Sequence, residues 1–129
     1  GDSRIYRFSK GEFSQISRDH VLKSCRFWKA PLTQFLGVEE TEMKLEPAIA
    51  AIPYQDRDRY LLCSDGVTDM LSDREIEEIM KLEDSIRDIA HALLTRVLDK
   101  GARDNTTIIL CEVRADNWPL KTWFLQKKG

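Results

Sequence analysis

The sequence reads as an α+β domain, and three stretches carry that reading. Arg4–Phe8 (RIYRF) and Glu12–Ser17 (EFSQIS) flank a short glycine-containing loop, the pattern of a strand pair. Leu61–Asp73 (LLCSDGVTDMLSD) runs from an apolar strand through an acidic turn into a helix start. Thr106–Val113 (TTIILCEV) is rich in β-branched residues and reads as a closing strand.

Taken in order, Ser9-Lys10-Gly11 is the hairpin loop, with Gly11 supplying the permissive backbone. Arg18–Ala30 is polar and unpatterned, so it reads as a loop. Leu32–Leu36 predicts one helical turn after Pro31, ended by Gly37. Met43–Ile52 predicts a strand that Pro47 confines to an edge or a bulge. Arg59–Ser64 (RYLLCS) is a short apolar strand of the kind buried on both faces. Ser72 and Glu75 form a capping box, which predicts a helix from Asp73 to about Lys81. A second helix is predicted over Ser85–Lys100, with Ile86, Ile89, Ala90, Leu93, Leu94, Val97 and Leu98 on one face and Gly101 as its stop. Residues 1–114 are expected to form the domain, and residues 115–129, with Trp118, Trp123, Phe124 and Leu125, a tail that packs, links or binds a partner.

The chain of 129 residues suits one domain with one core. Its 42% apolar and 33% charged residues fit a folded protein rather than a disordered one. A net charge of −2 excludes a strongly basic nucleic-acid surface. Cys25, Cys63 and Cys111 are too few and too scattered for a disulfide framework or a zinc site. Cys63 and Cys111 read as small core residues, and a reducing cytosol is the expected compartment. No apolar run approaches the roughly 18 residues of a membrane span.

Chemistry is suggested by the acidic turn. A carboxylate at the end of a buried strand is costly unless paired or bound to a cation. Asp65 sits at such an end, Gly66 permits a sharp turn, and Asp69 follows one helical turn later. Carboxylates in this setting suit a hard cation such as Mg²⁺ or Mn²⁺. Asp104 in GARDNTT and Asp2 in GDSR sit at other strand ends and are further candidates. Each has a plainer reading too: S-D-G and D-N are common turn signals. Asp73 reads as a first-turn residue that complements the helix dipole. SDGVTD does not have the oxygen spacing of a calcium loop. His91 lies off its helix's apolar stripe, His20 lies in a loop, and Asp56 to Arg59 read as a solvated turn.

GDSR at 1–4, SRDH at 17–20, LTQFLG at 32–37, YLLCSDGVTDMLSD at 60–73 and GARDNTTIILCEV at 101–113 occur in this order. Together they resemble the metal-dependent type 2C protein serine/threonine phosphatases in their bacterial form, over Gly1 to about Val113. The resemblance implies part of a four-layer αββα sandwich of two antiparallel sheets with outer helices. It implies phosphoserine and phosphothreonine hydrolysis with two or three Mn²⁺ or Mg²⁺ ions. By resemblance Asp65 and Asp104 bind the catalytic metal pair, and Asp2 and Asp69 help hold a further metal. Such a pair activates water directly, so no side-chain nucleophile is needed.

The resemblance also implies what this stretch lacks. The family's phosphate-binding arginine, an acidic metal-ligand motif, the D-G-x-G-G segment and the general-acid histidine do not appear, and neither His20 nor His91 takes the last role. The segment between SRDH and LTQFLG is short beside many family members. The chain is therefore expected to be the C-terminal half of a catalytic domain. It is expected to be inactive alone, and to dimerise, swap strands or require the missing N-terminal half. Phosphoproteins are the expected substrates of the parent. The alternative is a non-catalytic interaction or regulatory module that keeps the phosphatase fold.

Overall fold

The structure is a computed structural model that describes residues 1–22, 30–37, 39 and 41–114. Cys25 and the whole tail from residue 115 lie outside the described residues. The described elements run β1 (Arg4–Ser9), β2 (Glu12–Gln15), β3 (Arg59–Cys63), α1 (Asp65–Thr68), α2 (Asp73–Met80), α3 (Ile86–Asp99) and β4 (Ile108–Glu112).

The strands form one antiparallel sheet in the order β2-β1-β3-β4. The β1–β2 hairpin turns on Lys10 (φ 51°) and Gly11 (φ 84°), closing on the Ser9↔Glu12 pair. Two consecutive residues at positive φ match the twist of the flanking strands. Tyr6, Leu61 and Leu110 are cross-strand partners and share one face, with Phe8, Phe13 and Cys63. That face packs against Val67, Ile76, Met80, Ile89, Leu93 and Val97 from the helices, and Leu71 from the link between α1 and α2, and forms the core. The opposite face carries Ile5, Leu62 and Ile109 in register, and Ile109 is 53% exposed. The described residues thus supply two of the four expected layers, one sheet and its helices.

Helix ends follow the sequence closely. Ser72 and Glu75 form the capping box at the start of α2. Ser85 caps α3 by accepting the Asp88 N–H at 3.2 Å. Gly101, at φ 101°, lets α3 close with its N–H on the Leu98 carbonyl and that of Ala102 on the Val97 carbonyl.

Other expectations fail. Leu32–Leu36 is not a helical turn: Leu32 bridges Val21, and the Thr33 N–H donates to the His20 carbonyl at 2.7 Å. Pairing with the neighbouring extended stretch replaces the local helical bonds. Met43–Ile52 forms no strand; it is extended and largely exposed, with no ladder partner in the described sheet. Leu94 and Leu98 lie outside the core at 38% and 58% exposure, because three residues per two turns, Ile89, Leu93 and Val97, suffice to reach the sheet. Cys111 is exposed rather than buried, since its side of β4 is the open face.

Candidate metal centre

Asp65 and Asp104 come from elements that the sheet places side by side. β3 is paired with β4 through Cys63↔Ile108, so the chain leaving β3 and the chain entering β4 emerge at the same end. Ser64 ties them together. Its N–H donates to the Thr107 carbonyl at 3.1 Å, and its hydroxyl accepts the Thr107 N–H at 3.0 Å and donates to the Asn105 carbonyl at 3.2 Å. The Thr106 hydroxyl reaches the Gly66 carbonyl at 3.5 Å. Gly66 is buried against the Asn105 backbone so closely that an added Cβ would run into that carbonyl.

On this joint Asp65 is half-buried as the first residue of the one-turn helix α1, and its carbonyl accepts the Asp69 N–H at 2.8 Å. Asp69 caps that turn and is exposed. Asp104 is exposed, and its Oδ1 accepts the following N–H, from Asn105, at 2.7 Å. Asp2 is half-buried two residues before β1. The Arg4↔Cys63 register, carried two residues further, brings the chain at Asp2 level with the start of α1. All four aspartates therefore stand at one end of the sheet.

Asp73 has more than a dipole role. Its Oδ1 accepts the Tyr6 hydroxyl at 2.7 Å and Arg4 Nη1 at 3.3 Å. Burial pushes the Tyr6 phenol above its ordinary range; Arg4 opposes this, and Asp73 adds to it. Burial would lower the Arg4 pKa, but Asp19 and Tyr6 hold it above its ordinary value. His20 is held by its backbone N–H on the Gly1 carbonyl at 3.0 Å, and His91 is exposed on α3.

The Asp56–Arg59 stretch is only half a solvated turn: Asp56 and Arg57 are an exposed turn, but Asp58 and Arg59 are not. Asp58 is 1% exposed and pairs with Arg7 at 2.7 Å, on the open face of the sheet. Burial raises the Asp58 pKa, but Ser9, the Gln55 N–H and Arg7 together hold it below the ordinary carboxylate range. Arg59 donates to the Met80 and Leu82 carbonyls at 2.9 and 2.6 Å, satisfying the end of α2. Alternating charge resembles a surface run; only the partner on β1, 51 residues away, gives Asp58 its buried role.

The donor set is of the right kind for a hard cation, being carboxylate oxygen throughout. Among the described residues, however, no group of three or more acidic, histidine or cysteine side chains is gathered closely enough to hold one. The donors fit a hard cation in chemistry and their loops share one end of the sheet, but the described residues alone do not complete a cage. No helix among the described residues is long and apolar enough to cross a membrane.

No family model matches the chain. The serine/threonine phosphatase stp of Listeria welshimeri is 32% identical over 126 residues, covering 87% of this chain and 49% of that protein. The structure of PppA, a regulatory component of the T6SS in Pseudomonas aeruginosa, is 33% identical with a TM-score of 0.74, covering 88% of this chain and 50% of that one. The catalytic domain of the serine/threonine protein phosphatase PstP, solved in complex with two manganese ions, is 30% identical with a TM-score of 0.70, covering 88% of this chain and 51% of that one. The chain thus spans about half the length of these relatives.

Proposed function

The chain is homologous to about half of the bacterial metal-dependent serine/threonine phosphatase domain, and from that premise we propose that it supplies part of the metal cage of a phosphoprotein phosphatase. The observation that carries this reading is the hydrogen-bonded joint between Ser64–Gly66 and Asn105–Thr107, which sets two acidic loops against each other. Asp65 and Asp104 are the proposed ligands of the catalytic ions, Mn²⁺ or Mg²⁺, and Asp69 and Asp2 of a further one. Asp65 and Asp104 would hold ions that, when bound, would supply Lewis-acid activation of water and charge neutralisation at the phosphoryl group. The residues of this chain bind and orient. α1 holds Asp65 at the rim, Ser64 fixes the distance between the loops, and the half-buried setting of Asp65 keeps bulk water partly away.

The proposed partner is the complementary N-terminal half of the domain, which would add the remaining donors and cover the Ile5–Leu62–Ile109 face. In its absence that face and the sheet edges favour a homodimer or a strand swap. A phosphoserine or phosphothreonine protein in the cytosol is the proposed substrate class of the complete domain.

The test is reconstitution. The chain joined to the complementary half of the Listeria relative is assayed on a phosphoserine peptide with Mn²⁺. Turnover in the joined protein, none in the chain alone, and loss in Asp65→Asn and Asp104→Asn are expected. A joined, folded protein that binds no Mn²⁺ and turns over nothing favours a non-catalytic interaction module instead.

A further inference from the structure

Resting on the metal reading above, we propose that Arg4 is a positioning residue of the metal centre, clamping the Asp2 arm to the start of α2, just beyond the turn that carries Asp65 and Asp69. Arg4 opens β1, two residues after Asp2. Its guanidinium reaches in two directions. Nε and Nη2 fork onto the Asp19 carboxylate at 2.9 and 2.8 Å. Nη1 donates to the Tyr6 hydroxyl at 3.0 Å and to Asp73 Oδ1 at 3.3 Å. Asp73 is the first residue of α2, which follows the α1 turn after four residues of chain.

The other side of Asp2 is held as well. Asp19 precedes His20, whose N–H donates to the Gly1 carbonyl at 3.0 Å. Gln15 Nε2 fixes Asp19 from β2 at 2.7 Å. Asp2 therefore lies between two anchored points, Gly1 through His20 and Arg4 itself. Because Asp19 and Asp73 share one guanidinium, the Asp2 arm and the start of α2 move as one body. The job needs a planar fork with donors pointing two ways. A lysine ammonium keeps the charge but has neither the fork nor the reach to both carboxylates. An exposed ion pair contributes little to stability; here the arginine is 26% exposed and Asp19 19%, while Asp73 is 58% exposed, so the Asp19 side is the stronger half of an arrangement that joins three separate segments. The consequence is geometric: a metal ligand on a short arm has a fixed position only if the arm does.

The experiment titrates Mn²⁺ alone into the ¹⁵N-labelled chain and reads paramagnetic broadening of amide signals, which detects even millimolar binding. In the parent chain, amides near Asp65, near Asp104 and at Asp2–Ser3 are expected to broaden together. In Arg4→Lys, the first two sets are expected to broaden as before and the Asp2–Ser3 set to lose most of its response. Equal broadening at Asp2–Ser3 in Arg4→Lys overturns the clamp. If Mn²⁺ broadens none of the three sets in the parent chain, the partial cage holds no ion without the donors of the missing half, and hydrogen exchange then decides the clamp by itself. The His20 amide is expected to exchange about tenfold faster in Arg4→Lys and in Asp19→Asn, the effect of losing roughly one charge-assisted hydrogen bond. Unchanged exchange there in both variants overturns it.

Discussion

Gly66 meets the Asn105 backbone with no room for a side chain between them. This contact welds the turn after β3 to the loop before β4, the two loops that carry Asp65 and Asp104. Gly66 sits inside α1 without the positive φ that marks Gly11, Gly37 and Gly101, so its need for glycine is steric. Alanine would improve helix propensity, yet the obstacle is a carbonyl group, which cannot rotate away. Gly66→Ala is expected to destabilise the chain by about 1–3 kcal/mol, as overpacking does. Urea denaturation measures this; a variant as stable as the parent shows that the loops part easily.

The capping box gives a second prediction. Ser72 accepts the Glu75 N–H, and Glu75 Oε2 accepts the Ser72 N–H at 3.0 Å. Ser72→Ala is expected to cost about 1 kcal/mol. A loss confined to α2 in hydrogen exchange checks that the effect is local.

Glu75 also fixes an acid response. Lys100 first, then the Ser72 backbone and side chain, hold its carboxyl at about 2, below the ordinary 4.5. A depressed folded-state pKa contributes stability that is fully present above pH 4.5 and lost as pH falls through 2. Stability of the parent chain is therefore expected to fall across that window, and Glu75→Gln to flatten the fall. Because the pair is at the surface, added salt is expected to shrink the Lys100 share. Identical acid profiles for both proteins count against the assignment.

The Arg7–Asp58 pair predicts non-additivity. Asp58→Ala leaves the arginine facing Pro53 and Tyr60 without its carboxylate. Each single substitution, Asp58→Ala or Arg7→Met, is expected to lower Tm, and the double variant to lose less than the sum. Additive losses show that the two side chains act separately.

Thiol labelling separates the cysteines. Burial pushes the Cys63 thiol up to about 11, whereas Cys111 is exposed on the open sheet face. In a Cys25→Ser background at neutral pH, one thiol is expected to react quickly and the second only on unfolding. Rapid labelling of both sinks this picture of the core.

Local signals were legible because they depend on near neighbours. Ser72–Glu75, the Gly101 stop and the Lys10–Gly11 turn involve residues within a few positions of each other. The failures share the opposite property. Asp58 looked solvated because its partner Arg7 lies on another strand, and Cys111 looked buried because a strand's sequence does not say which face is covered. Leu32 bridges Val21 across a loop, a partner that its neighbours in sequence do not announce.

By itself the sequence determined the helix limits, the hairpin turn, the strand candidates and which carboxylates were worth watching. These follow from backbone preferences and short-range hydrogen bonds, which travel only a few residues along the chain. Tertiary structure alone decided that β3 lies between β1 and β4, and hence that Asp2, Asp65 and Asp104, 39 or more residues apart, reach the same sheet end. It alone gave Arg4 its two carboxylates and the buried Asp58 its arginine. The physical reason is that strand order and register are fixed by which apolar faces meet, and that choice is made across the whole chain at once.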